Sequence, residues 1–125
     1  MDYQGLYEML SKTEQMITEH LEPEFAVGSI YYDTTKLEEI LFAARALDSY
    51  NNLNHNLPGK KTRHLNNLHS LKEPCENFIC SLNVVINDDI AKETDLGEYA
   101  SKLLARITKT YNHINKLCSF IENYS

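Results

Sequence analysis

The sequence predicts an all-α protein: an antiparallel four-helix bundle, its third helix broken near Pro74, closed by a long C-terminal helix. Two observations carry this expectation. Leu96, Tyr99, Leu103, Ile107, Tyr111, Ile114, Cys118 and Ile121 recur at steps of three and four, which places them on one stripe of a helix from about Asp95 to Asn123. At 1.5 Å per residue that helix would run roughly 40 Å; an amphipathic helix this one-sided needs other helices, or a second copy of the chain, to cover its stripe. The same period recurs in three earlier segments, separated by residues that favour turns and caps.

The first helix is expected over Tyr3 to His20. Tyr3, Leu6, Tyr7, Leu10, Ile17 and Leu21 form its inner face, with Met9 and Met16 beside it. Glu22-Pro23 ends it, because the residue before proline avoids the helical region. Residues 24–32 form an apolar connector, interrupted by Gly28 and best read as an extended loop laid over the bundle; a lone strand there would lack a partner. Asp33, Thr34 and Thr35 are cap residues for the second helix, and Thr35 with Glu38 has the spacing of a capping box. Leu37, Ile40, Leu41, Ala44 and Leu47 carry its stripe to about Tyr50. Residues 51–59, rich in asparagine and ending in Pro58-Gly59, are the main break.

The third helix starts near Thr62 with Leu65, Leu68 and Leu71. Pro74 kinks it or opens a new helix at its first turn, and Cys75, Phe78, Ile79, Leu82, Val85 and Ile86 continue the apolar face. Asp88-Asp89 opens the last connector. Thr94 or Asp95 caps the terminal helix, with Glu98 placed to close the box. The terminal helix reads as about two turns longer than its neighbours, and its surplus apolar face suggests a homodimer through the C-terminal helix or a partner that covers it.

A chain of 125 residues with a hydrophobic fraction of 42% has the length and apolar content of one domain, residues 1–125. The net charge of −6 argues against nucleic acid as a partner, since phosphate contacts need a basic surface. No stretch approaches a membrane-spanning apolar run. The N-terminal Met-Asp-Tyr-Gln-Gly lacks the basic and apolar regions of a signal peptide, so a cytoplasmic location is expected. The charge is uneven: residues 1–50 hold ten acidic and three basic side chains, whereas residues 51–74 hold four basic and one acidic, together with His55, His64 and His69. Cys75, Cys80 and Cys118 are a poor disulfide framework and fall at helical core positions, where buried reduced thiols are expected.

One local pattern carries chemistry. In Arg63-His64-Leu65-Asn66-Asn67-Leu68-His69, an arginine is followed by a polar residue and, after four more residues, a histidine. This resembles the motif of HEPN-family ribonucleases, small all-helical and often dimeric domains that cut RNA without metal. The resemblance implies that Arg63 would hold the scissile phosphate. It gives His69 general acid–base catalysis, and His64 the place of the polar residue after the arginine. It spans seven of 125 residues, and the motif stands at mid-chain rather than on a late, long helix. A further reading of the same region is an anion or nucleotide site at Lys60, Lys61 and Arg63. No metal or cofactor is expected: no glutamate stands three residues before a histidine, as a di-iron bundle needs, and no cysteine pair has zinc spacing. Neither a nucleophile elbow nor a glycine-rich phosphate loop is present. His113 lies off the terminal stripe and is expected to be exposed.

Eight tyrosines without tryptophan, combined with the acidic N-terminal half, point instead to a protein partner. The residues expected to contact it are Glu14, Glu19, Glu24, Tyr31 and Tyr32. The function expected from the sequence is a small acidic protein-binding module of inhibitor, immunity-protein, antitoxin or adaptor type that masks a basic surface of another protein, rather than an enzyme.

Overall fold

The computed structural model describes residues 2–50 and 60–124, with side chains described for 2–46 and 61–124. It is all-α, a helical bundle with no strand among these residues. The helices are α1 (Tyr3–Met16), α2 (Thr34–Tyr50), α3 (Lys60–Ile86), the single-turn α4 (Asp89–Glu93) and α5 (Leu96–Asn123). The expected break at 51–59 lies outside the described residues.

The α3–α5 pair is the frame of the molecule. The two helices run antiparallel, since Lys61 at the start of α3 donates to the carbonyls of Glu122 and Tyr124 at the end of α5. A cation there also complements the negative end of the helix dipole. The stripe anticipated on α5 is its buried face, with Leu103, Ile107, Ile114 and Ile121 closed off from solvent and Ala100 and Leu117 adding to it. Against it lie Leu68, Cys75, Leu82 and Val85 of α3. At the α4–α5 corner the chain passes so closely that a Cβ on Gly97 would stand 2.6 Å from the carbonyl oxygen of Ala91; glycine is needed there for space.

α3 corrects two expectations. It is one helix of 27 residues that runs through Pro74 without a break. Proline removes one intrahelical bond and crowds the preceding turn, costing about 3 kcal/mol. Burial of Leu68 on one side of Pro74 and of Cys75 and Leu82 on the other keeps both halves in line along α5. α3 is therefore nearly as long as the 28-residue α5, and of the stripe residues Leu96, Leu103, Ile107, Ile114, Cys118 and Ile121 are buried within one chain, with Tyr99 and Tyr111 half-buried.

α1 lies along α5 in the same direction. Tyr3 reaches Asp95, Tyr7 packs on Tyr99, and Thr18 and Glu22 meet Arg106. Leu6, Leu10, Ile17 and Leu21 form its core face as expected, but Tyr3 and Tyr7 are exposed at its edge. The helix does not stop at Glu22-Pro23. A π-helical turn over Ile17–Leu21 and a 3₁₀ turn over Glu22–Phe25 carry it on, and Glu22 keeps helical dihedrals despite the proline after it. The wider turn keeps both Ile17 and Leu21 buried and directs Glu22 at α5.

Asp33 caps α2, accepting from the amides of Thr35 and Lys36, so the acidic residue rather than the Thr35–Glu38 box serves as the cap. α2 buries Leu37, Leu41 and Ala44 and leaves Phe42 exposed on its outer face. α4 is capped by Asp88, a turn of helix where only a connector was expected.

Candidate functional site

The connector between α1 and α2 is not extended. The Ala26 carbonyl accepts from the Ser29 amide at 3.0 Å and the Ser29 carbonyl from Tyr32 at 3.3 Å, forming two successive turns. Gly28 has φ +92° at the third position of the first turn, which only glycine adopts without strain in such a turn. The turns push Val27, Ile30 and Tyr32 outward, at 80%, 40% and 46% exposure, while Tyr31 turns inward and is 7% exposed.

Tyr31 fastens the connector to both helices of the frame. Its phenol oxygen lies 2.9 Å from His64 Nδ1 of α3 and accepts a longer bond, 3.4 Å, from the Asn67 side-chain amide. With Asn67 as donor, the phenol hydrogen is used when it points at His64. The Tyr31 backbone carbonyl accepts from His113 Nε2 of α5 at 2.7 Å; a carbonyl cannot donate, so Nε2 carries the hydrogen. Phe25 stands edge-on to His113 and tilted against the Tyr31 ring, and the Tyr31 and His64 rings meet edge to face. Burial pushes the Tyr31 phenol above its ordinary pKa, and the charge of Glu24 adds to this while the Asn67 amide opposes it.

Below the connector, Arg106 of α5 ties down the end of α1. Its guanidinium donates to Glu22 through two nitrogens, to Thr18 Oγ1 at 3.0 Å, and lies 3.6 Å from Glu14. The bond to Glu22 raises its pKa, and burial opposes this. Glu14 also accepts from the Tyr99 hydroxyl. Between this ion pair and the connector lies a pocket of about 530 Å³, lined by Glu22, Phe25, Ala26 and Tyr32 on one side and Arg106, Lys109, Thr110 and His113 on the other.

The residues expected at a partner surface divide accordingly. Tyr32, Glu19 and Glu24 are on the surface. Glu14 is engaged with Arg106 and Tyr99, and Tyr31 is withdrawn into the core as the anchor of the loop. His113, expected to be exposed, is half-buried and holds the connector. Its role, with those of Asn67 and Arg106, escaped the sequence reading. The nearest available signal was the row Glu14, Thr18, Glu22 at steps of four, a polar ridge beside the apolar face of α1.

The Arg63-to-His69 segment does not assemble as one cluster. Six residues apart on a continuous helix, Arg63 and His69 project about 120° from each other, both exposed, while His64 between them is buried against Tyr31. Lys61 is occupied at the end of α5, and the Lys60 side chain and His55 lie outside the described residues. Lys72 sits 5.8 Å above the Tyr111 ring. Of the three cysteines, all free, Cys75 and Cys118 are buried as expected but Cys80 is exposed. Burial pushes the Cys75 thiol up to about 11. No group of side chains among the described residues could hold a metal ion, and no described helix is long and apolar enough to cross a membrane. No family model, curated protein or solved structure matches the chain.

Proposed function

We propose that this protein is a protein-binding module that engages a basic partner through the connector between α1 and α2, in the manner of an inhibitor, immunity protein, antitoxin or adaptor. The observation that carries this reading is the connector itself. It sets Val27, Ile30 and Tyr32 in solvent on a base fixed by Tyr31, His64, His113 and Phe25. A loop held in one shape loses little entropy on association, and a protruding tyrosine flanked by aliphatic side chains is the composition of an interface centre. The surroundings supply the sign of the partner. Residues 14–39 hold seven carboxylates and one lysine. Glu19, Glu24, Asp33, Glu38 and Glu39 are exposed around the two ends of the loop, so a basic surface would be drawn to it.

The test is affinity capture from the source cell with wild type and with the single variants Tyr32→Ala and Val27→Ala, followed by binding measurements on the purified partner. The expected result is a partner that is held by wild type and weakened at least about tenfold by either substitution, as for an interface centre. A captured set identical for wild type and both variants would remove the connector from the account. The same preparation, given single-stranded RNA in excess chelator, is expected to show no cleavage. Cleavage lost in His69→Ala would establish the ribonuclease reading instead.

A further inference from the structure

The pocket beneath the connector has a composition that points beyond a protein surface. Its volume of about 530 Å³ falls within the range of small-ligand sites. Three ring systems line it: Phe25, Tyr32 and His113. The first and last are held edge to face, with the imidazole further bonded to the Tyr31 carbonyl. Its charges are unequal in what they have left to offer. Glu22 and Arg106 neutralise each other directly, and Arg106 is further engaged by Thr18 and Glu14. Lys109, also lining the pocket, is exposed, and no carboxylate among the described residues lies within ion-pair distance of it. Aromatic walls with one cation at the margin that no carboxylate pairs directly suit a flat, apolar ring bearing a negative charge.

We infer that this pocket is a binding site for a small aromatic carboxylate, with its ring against Phe25 and Tyr32 and its carboxylate at Lys109. Half of the wall belongs to the connector, so a bound molecule would sit directly under the loop that presents Val27 and Ile30. Occupancy would further restrain that loop. The site needs no protein partner, and its test is separable from that of the protein-binding reading.

The experiment uses phenylacetate as the probe and benzylamine as its cationic counterpart, each titrated to about 10 mM, a span suited to a ligand of this few atoms. Amide chemical shifts of the whole protein are the readout. Phenylacetate should give saturable shifts confined to residues 22–32 and 106–113, and benzylamine should bind at least about fivefold more weakly. Lys109→Gln should raise the phenylacetate Kd about fivefold, the scale of one partly exposed charge contact, and Lys109→Arg should restore it. The proposal fails if phenylacetate gives no saturable shifts. It fails equally if benzylamine binds as well as phenylacetate, or if Lys109→Gln leaves its Kd unchanged. None of these outcomes bears on whether a protein binds the exposed face of the loop.

Discussion

Two adjacent tyrosines, Tyr31 and Tyr32, show how position decides the use of one side chain. Tyr31 is buried with its hydroxyl between His64 and Asn67, whereas Tyr32 is half in solvent and lines a pocket. Tyr31→Phe should destabilise the protein by about 1–3 kcal/mol, the range for removing one partner of a buried polar pair. Tyr32→Phe should stay within about 0.5 kcal/mol. Urea unfolding of both variants checks this, and equal effects would mean that the connector is not anchored through Tyr31. Cys75 offers a pH readout. The folded chain keeps its thiol protonated to about 11 against an ordinary value of 9.0, so the unfolded chain releases that proton first as pH rises. Its contribution is then fully present below pH 9 and is lost towards pH 11. Cys118 is shifted in the same direction by burial. Urea midpoints should therefore fall across this interval, with a shallower slope in Cys75→Ala. A thiol reagent at neutral pH should modify Cys80 and spare the other two until the protein is unfolded.

At the level of the elements, the apolar period located α5 to within a residue or so of its observed ends, and α1 and α2 nearly as well. The rules that failed were local ones. Proline was expected to end or break a helix at two places, Pro23 and Pro74, and at both the helical path continues. A lost hydrogen bond costs less than exposing Leu68, Cys75 and Leu82, so packing on α5 overrides the local preference. Pro74→Ala should then stabilise the protein by about 1–2 kcal/mol, by restoring one backbone bond to a helix that is already straight enough to keep both halves packed. Gly97→Ala should do the reverse despite alanine's better helix propensity, because its methyl would meet the Ala91 carbonyl. Thermal or urea unfolding of the pair tests both. A destabilised Pro74→Ala would show that the proline geometry itself is used.

For the molecule as a whole, charge and shape act together. The acidic stretch 14–39 surrounds an apolar loop, so association with a basic partner should slow as salt is raised towards physiological strength, where the Debye length is about 8 Å. Reversal of charge at Glu19 or Glu24 should lower the on-rate more than it raises the off-rate. A salt-independent on-rate would remove steering from the account. By itself the sequence determined the helical class, the extent of the long helices and the acidic sign of the N-terminal half, because periodicity and charge are properties of consecutive residues. Which polar residues meet was decided only by tertiary structure: Tyr31 with His64 and His113, Arg106 with Glu14 and Glu22, and Lys61 with the end of α5. These pairs lie 33 to 92 residues apart in the chain. Whether a tyrosine or histidine is an anchor or a surface contact depends on the relative placement of helices, for which no local pattern of residue types carries a signal.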